Sequence, residues 1–158
     1  MIRIIACGSV KEKWMQAGIL EYAHRLRAYE KLEIVEVEDE PAPPSNSLAE
    51  NVRVLEKEGM RLWKRIGAKD FVILLDLKGK EMDSIQLSKM IDQCMTNGKS
   101  RIAFVIGGSL GVSKALIQRS DIRWKLSVNT FPHQLCRLLV LEQVYRAFRI
   151  LHHEPYHK

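Results

Sequence analysis

The segment "VIGGSLG" (105–111) places two glycines directly after a run of apolar residues. Because Gly107 and Gly108 carry no side chain, a ligand can lie against the backbone at this point. The spacing fits neither the G-x-G-x-x-G pattern of dinucleotide sites nor the G-x-x-x-x-G-K-[ST] pattern of triphosphate sites. The glycines therefore predict either a ligand cradle without a phosphate fingerprint or a tight turn that serves only the fold.

A second group of residues stands near the start of the last predicted helix. His133 and Arg137 are four residues apart, so a helix places them on one side, next to the loop 126–131. An imidazole here is a candidate general base or positioning group. Arg137 is a candidate contact for an anion or a base. The alternatives are a cationic rim residue or a pair at a subunit interface.

The tail "HHEPYHK" (152–158) holds three of the five histidines. Tyr156 is suited to stacking on a base, while His157 and Lys158 can contact phosphate. A polar tail without a partner is the alternative. The carboxylates show no metal-ligand spacing, and the three cysteines lie far apart without a C-x-x-C pair. We therefore expect no metal site and no disulfide.

Charge is distributed unevenly along the 158 residues, whose net charge is +6. Residues 1–98 contain 15 Lys/Arg and 16 Asp/Glu, whereas residues 99–158 contain 10 Lys/Arg and 3 Asp/Glu. A basic segment of this kind favours an anionic partner, most commonly nucleic acid, over a solvated surface without a partner. The chain has no signal-peptide pattern and no apolar stretch of membrane-spanning length, which predicts a cytoplasmic protein without a membrane partner.

Strand and helix patterns alternate five times. The predicted strands cover 2–8, 31–38, 70–79, 101–108 and 122–128, and the predicted helices cover 14–29, 48–66, 83–98, 112–120 and 132–151. This order indicates an α/β fold, a parallel sheet flanked by helices on both faces, within a single domain, 1–158. The strand at 31–38 alternates apolar residues with glutamates, which is typical of a position near the sheet edge.

Ligands of open α/β sheets bind beyond the carboxyl ends of the strands. Three such ends carry suitable residues: Leu75 to Leu77, the Gly107-Gly108 pair, and the loop 126–131. If their strands are neighbours in the sheet, the three loops form one crevice.

Several of these segments also resemble a known family. "FVIGGSLG", "NTFPHQLCRLLVLEQVYRAF" and the terminal "PYHK" are similar to the RlmH family of SPOUT-class RNA methyltransferases, as are "MIRIIACGSVKEKW" and "LEKEGMRL" (55–62). The resemblance covers essentially the whole chain. It implies a SPOUT-type fold with a C-terminal trefoil knot, in a cofactor region of about 70–158. It further implies a homodimer with each active site at the interface.

The resemblance also implies an activity and its residues. The reaction is S-adenosyl-L-methionine-dependent methylation of N3 of a pseudouridine in a loop of 23S rRNA, on the assembled 70S ribosome. The cofactor residues carried over by position are Leu75, Gly107, Leu126, Ser127, Val128, Asn129, Thr130 and Phe131. His133 and Arg137 become catalytic candidates, and the RNA-binding candidates are Arg137, Tyr156, His157 and Lys158. The rival functions are a non-enzymatic ribosome- or RNA-binding domain and an enzyme of nucleotide metabolism.

Overall fold

The computed structural model describes residues 1–41, 43, 45 and 47–157. Within them strands and helices alternate, as predicted. The strands are β1 (Ile2–Cys7), β2 (Leu32–Val37), β3 (Phe71–Glu81), β4 (Ile102–Ile106) and β5 (Ile122–Lys125). The helices are α1 (Lys13–Leu26), α2 (Leu48–Trp63), α3 (Ser84–Thr96), α4 (Lys114–Arg119) and α5 (His133–Leu151). None of these helices is long and apolar enough to cross a bilayer.

The strands form one sheet in the order β2-β1-β4-β3-β5, and every pair is parallel. The prediction of a parallel α/β sheet flanked by helices is confirmed, and β2 lies at an edge as its pattern indicated. Because β4, β3 and β5 are consecutive neighbours, their carboxyl ends meet at one side of the sheet. The three loops expected to form a crevice therefore come together.

The core lies on both faces of the sheet. Alternate residues of β1 point to opposite faces, so Ile2 and Ile4 pack with α1, α3 and α5, while Ile5 and Cys7 pack with α2 and α4. Strand β4 is buried along its whole length because helices cover both of its faces. Helix α5 is apolar on several sides because it packs between α1 and α3 against the sheet.

The helix boundaries are largely set by local capping. The side chain of Ser47 accepts the backbone N–H of Glu50, so α2 begins where the sequence predicts. Asp83 accepts the N–H of Gln86, whose side chain accepts the N–H of Asp83 in return, which forms a capping box. Pro132 is the residue immediately before α5.

The predicted core stripes of the first two helices are partly wrong. Trp14 and Leu20 of α1 are 61% and 69% exposed, whereas Met15, Ala23 and Leu26 are buried. Leu48, Val52 and Met60 of α2 are exposed as well. The direction in which a helix rests on the sheet selects its buried side, and apolar spacing alone does not report that direction.

Removing the Asp83 cap tests the local stability of α3. We expect Asp83→Ala to lower the free energy of unfolding by about 1 kcal/mol, because the N–H of Gln86 loses its acceptor. Urea unfolding followed by circular dichroism measures this change. Asp92→Ala, at an exposed position of the same helix, is the control. Equal losses in the two variants would contradict a specific capping role.

Candidate active site

A crevice of about 560 Å³ opens at the carboxyl ends of β3, β4 and β5. Its volume lies within the roughly 300–1,000 Å³ typical of small-molecule sites. The residues that line it are Leu75, Asp76, Leu77, Ile106, Gly107, Gly108, Ser109, Trp124, Leu126, Ser127, Asn129, Thr130, Phe131, Pro132, His133 and Cys136. Of the positions expected to hold a cofactor, the crevice includes all except Val128, which is largely exposed.

The two glycines of the loop are required by contacts within the protein. A Cβ on Gly107 would collide with the carbonyl oxygen of Gly111 and come within 2.9 Å of Val112 Cγ1. A Cβ on Gly108 would collide with the carboxylate of Glu58. Gly111 itself has a φ of +102°, which only glycine adopts without strain. The tight-turn interpretation thus accounts for the missing side chains, and the resulting backbone still forms one wall of the crevice.

The polar and apolar parts of the crevice are separated. Asp76 accepts hydrogen bonds from Arg123 and from the backbone N–H of Lys78, at 2.8 and 2.9 Å, so its carboxylate is already paired. The larger apolar side chains come from Leu75, Trp124 and Phe131. The indole Nε1 of Trp124 is buried, and no acceptor among the described residues reaches it. The site can therefore take a flat, mostly uncharged group together with one hydrogen-bond acceptor.

His133 lies at the edge of this crevice, at the first residue of α5. Burial lowers the pKa of its imidazole below the ordinary 6.5, and the positive charge of Arg137 lowers it further, while Asp39 and Glu58 act in the opposite direction. His133 is therefore neutral at pH 7 and can accept a proton. Sequence reasoning did not single out Glu58, since its place in the charged pattern of α2 is that of an ordinary surface residue.

Arg137 is directed away from the loop 126–131. Its side chain is buried, with 1% exposed, and it donates to the carbonyl oxygens of Cys7 and Gly8 at 2.6 and 2.7 Å. It also pairs with Glu36 at 2.5 Å. The structure therefore differs from the expectation of an anion contact at the crevice. The guanidinium joins α5 to the ends of β1 and β2, because these carbonyls and this carboxylate satisfy its charge inside the protein.

The tail residue Tyr156 is also engaged within the chain. Its ring packs edge-on against Tyr145 at 5.0 Å and lies 4.6 Å from the guanidinium of Arg146, while its hydroxyl donates to Glu142. Stacking on a base requires release of this ring. His157 is exposed, and Lys158 lies outside the described residues. The described tail histidines join no cluster of possible metal ligands.

The basic final third does not become an equally basic surface. Four of its cations pair with acids from the first 98 residues: Arg101 with Asp70, Arg123 with Asp76, Lys125 with Glu81 and Arg137 with Glu36. Arg146 and Arg149 pair with Glu142 and Glu154 of their own segment. Charge asymmetry along the chain is thus partly cancelled by folding, because acids and bases far apart in sequence meet in space.

A side chain at Gly107 should disrupt the crevice. We expect Gly107→Ala to weaken methyl-donor binding at least about tenfold and to cost about 1–3 kcal/mol of stability, because the loop 107–111 must open to admit the methyl group. Isothermal titration and thermal unfolding measure the two effects. Ser109→Ala, at an exposed position of the same loop, is the control. Unchanged binding by the Gly107 variant would show that this wall is not used.

Comparison with known proteins first defines a class. The family model described as "Predicted SPOUT methyltransferase" matches residues 1–157. A probable methyltransferase from Bordetella pertussis superposes with a TM-score of 0.53 at 14% identity, covering 92% of this chain and 93% of that one. A probable methylase family protein from Haemophilus influenzae superposes with a TM-score of 0.52 at 13% identity, covering 99% and 70%. At such identities the structures support only the fold, which is that of SPOUT methyltransferases.

Full-length relatives then narrow the class. A protein named Ribosomal RNA large subunit methyltransferase H from Desulfitobacterium hafniense is 52% identical over 157 residues, covering 99% of this chain and 98% of its own. A protein of the same name from Clostridium botulinum is 53% identical, covering 99% of both chains. The chain belongs to the RlmH family of SPOUT methyltransferases.

Proposed function

We propose that this protein methylates N3 of a pseudouridine in a loop of 23S rRNA, on the assembled 70S ribosome, with S-adenosyl-L-methionine as methyl donor. The observation that carries the proposal is the crevice at the ends of β3, β4 and β5, in a chain of the RlmH family. The names of its full-length relatives support large-subunit rRNA as the substrate.

The crevice suits this donor in both shape and chemistry. Its apolar side chains fit an adenine ring, and its exposed backbone groups can bind the ribose and amino-acid parts. Leu75, Gly107 and the loop 126–131 would hold the group, with Val128 at the outer end of that loop. The molecule carries no phosphate, which agrees with a glycine loop that lacks a phosphate fingerprint. When bound, it supplies an activated methyl group on a sulfonium.

The protein's part in the reaction is to align the base and to receive a proton. N3 of the base forms a bond to the methyl carbon while the bond from that carbon to sulfur breaks, and the N3 proton leaves to a base. His133 is suited to accept it, because it lines the crevice and is neutral at pH 7. Holding the reactants in line contributes much of the remaining rate enhancement.

The expected homodimer and knot belong to the same proposal. Trp14, Leu20 and Ile34 are exposed apolar side chains, and a cavity of about 260 Å³ beside Leu20 and Ile34 is mostly apolar. A second copy of the chain would cover this surface, as a surface of this kind commonly marks an interface. We further propose that 1–158 forms one domain in which about 70–158 is the knotted cofactor region.

RNA contacts are assigned to the tail rather than to Arg137. His157 is exposed and Lys158 follows it, so both are free in sequence position to meet phosphate groups, and Tyr156 can join them once its ring is released. Arg137 acts indirectly, by fixing the end of β1 beside His133. A cytoplasmic location follows from the proposed ribosomal substrate.

The direct test is mass spectrometry of 23S rRNA from cells with and without this gene. We expect one methylated pseudouridine to disappear with the gene and to return when the gene is restored. An unchanged modification pattern would refute the proposal. Isothermal titration with S-adenosyl-L-methionine separates it from a non-enzymatic RNA-binding domain, for which no heat of binding is expected.

A further inference from the structure

Glu58 is an unusual residue for the exposed helix that carries it. Its side chain lies against Gly108 and is almost completely buried, with 4% of the residue exposed. Oε1 accepts the backbone N–H of Glu40 at 3.0 Å, but no donor among the described residues reaches Oε2 with hydrogen-bond geometry. A buried carboxylate oxygen without a donor costs free energy, so such a group calls for a physical explanation.

The complementary atom belongs to His133. Its Nε2 is enclosed by protein, and among the described residues it also has no partner. Nε2 lies 3.3 Å from the point that a Cβ on Gly8 would occupy, and Oδ2 of Asp39 lies 3.4 Å from the same point. Since Nε2 is closed off, only Nδ1 of this ring is left for a ligand in the crevice.

The charges that surround the imidazole come from every element packed against it. Asp39 follows β2, Glu58 lies on α2, Arg137 lies on α5, and the thiol of Cys7 ends β1. The pKa of Cys7 is raised to about 12, first by burial and then by Glu58, so the thiol is uncharged at pH 7. Arg137 is already bonded to three acceptors. The carboxylates are the remaining groups able to stabilise a proton on Nε2.

Of the two carboxylates, Glu58 is the stronger influence on a buried ring. Asp39 is exposed, and water and salt screen its charge. Glu58 is enclosed, so its field acts through protein. Together with Gly108, which leaves room for its carboxylate, it connects α2 to the glycine loop that borders the crevice.

Resting on the proposed function, we propose that Glu58 is a positioning residue that keeps a proton on Nε2 of His133 and leaves Nδ1 free to accept the N3 proton of the base. When the methyl group is transferred, the proton from N3 moves to Nδ1, and the ring becomes an imidazolium with a proton on each nitrogen. The negative charge of Glu58 stabilises that cation. After the product leaves, the proton on Nδ1 passes to water.

The test combines nuclear magnetic resonance with kinetics. In the wild-type protein we expect ¹H–¹⁵N spectra of the neutral His133 ring to show the proton on Nε2. In Glu58→Gln we expect His133 to titrate at lower pH and single-turnover methylation to slow on the order of tenfold, with the acid limb of its pH profile moved to lower pH. Glu58→Asp should restore part of the rate. Glu56→Gln, at an exposed position of the same helix, is the control and should change neither measurement.

Two results would overturn the inference. One is a wild-type ring with its proton on Nδ1, which requires no variant to be folded. The other is a folded Glu58→Gln protein in which both the His133 titration and the pH profile are unchanged. If the spectra behave as expected but the wild-type protein leaves 23S rRNA unmethylated, the proposed function fails while the pairing of Glu58 with His133 is supported.

Discussion

His133→Ala is expected to slow methyl transfer by about 100- to 10,000-fold, the range typical of a lost general base. The reason is that His133 is the imidazole at the crevice, and burial keeps its pKa below 6.5, so that it is unprotonated at pH 7. Single-turnover kinetics with saturating rRNA and methyl donor isolates the chemical step. The wild-type rate should rise with pH through the His133 pKa and then level off.

The controls separate chemistry from binding and folding. His152→Ala, at an exposed tail position, should keep the wild-type rate. The His133 variant should retain its thermal unfolding temperature within a few degrees and its affinity for the methyl donor. Full turnover by His133→Ala with normal rRNA affinity would dismiss the role as base, and solvent would then take the N3 proton.

Asp70→Ala is expected to lower the free energy of unfolding by about 3–5 kcal/mol. The Asp70 carboxylate is completely buried and pairs with Arg3 at 2.5 Å and with Arg101 at 2.8 Å, while it also accepts the N–H of Gly67 at 2.7 Å. Its removal leaves Arg3, itself buried, without one of its two anions. Against a typical total of about 5–15 kcal/mol, such a loss is large. Denaturant unfolding measures it, with Lys69→Ala at the exposed neighbouring position as control.

The pH dependence of this stabilisation has a defined sign. Burial alone would raise the pKa of Asp70, but hydrogen bonds from Arg101, Gly67 and Arg3 outweigh it and hold the pKa below the ordinary 3.8. The contribution of a carboxylate with a lowered pKa is present above the pKa of the unfolded chain and is lost as pH falls through the folded value. The difference between wild type and Asp70→Asn should therefore be constant from pH 5 to 7 and shrink below about pH 4. A difference that persists at pH 2 would contradict the charge-based explanation.

The sequence by itself determined the succession of elements and the family. Alternating apolar patterns identify each strand, and Ser47 and Asp83 mark helix starts, because burial periodicity and capping involve residues within a few positions of each other. The segments from "MIRIIACGSVKEKW" to "PYHK" identify the RlmH family because they are specific in themselves. The predicted edge position of β2 also follows from its own pattern of glutamates.

Only the tertiary structure decided what the important side chains meet. Arg137 pairs with a carboxylate 101 residues away and turns away from the predicted crevice contact, and Glu58 reaches Gly108 across the fold. The cations of the final third are partly neutralised by acids that the sheet order brings to them. Such contacts depend on the order β2-β1-β4-β3-β5 and on how each helix rests on the sheet, which neighbouring residues do not encode in a readable pattern.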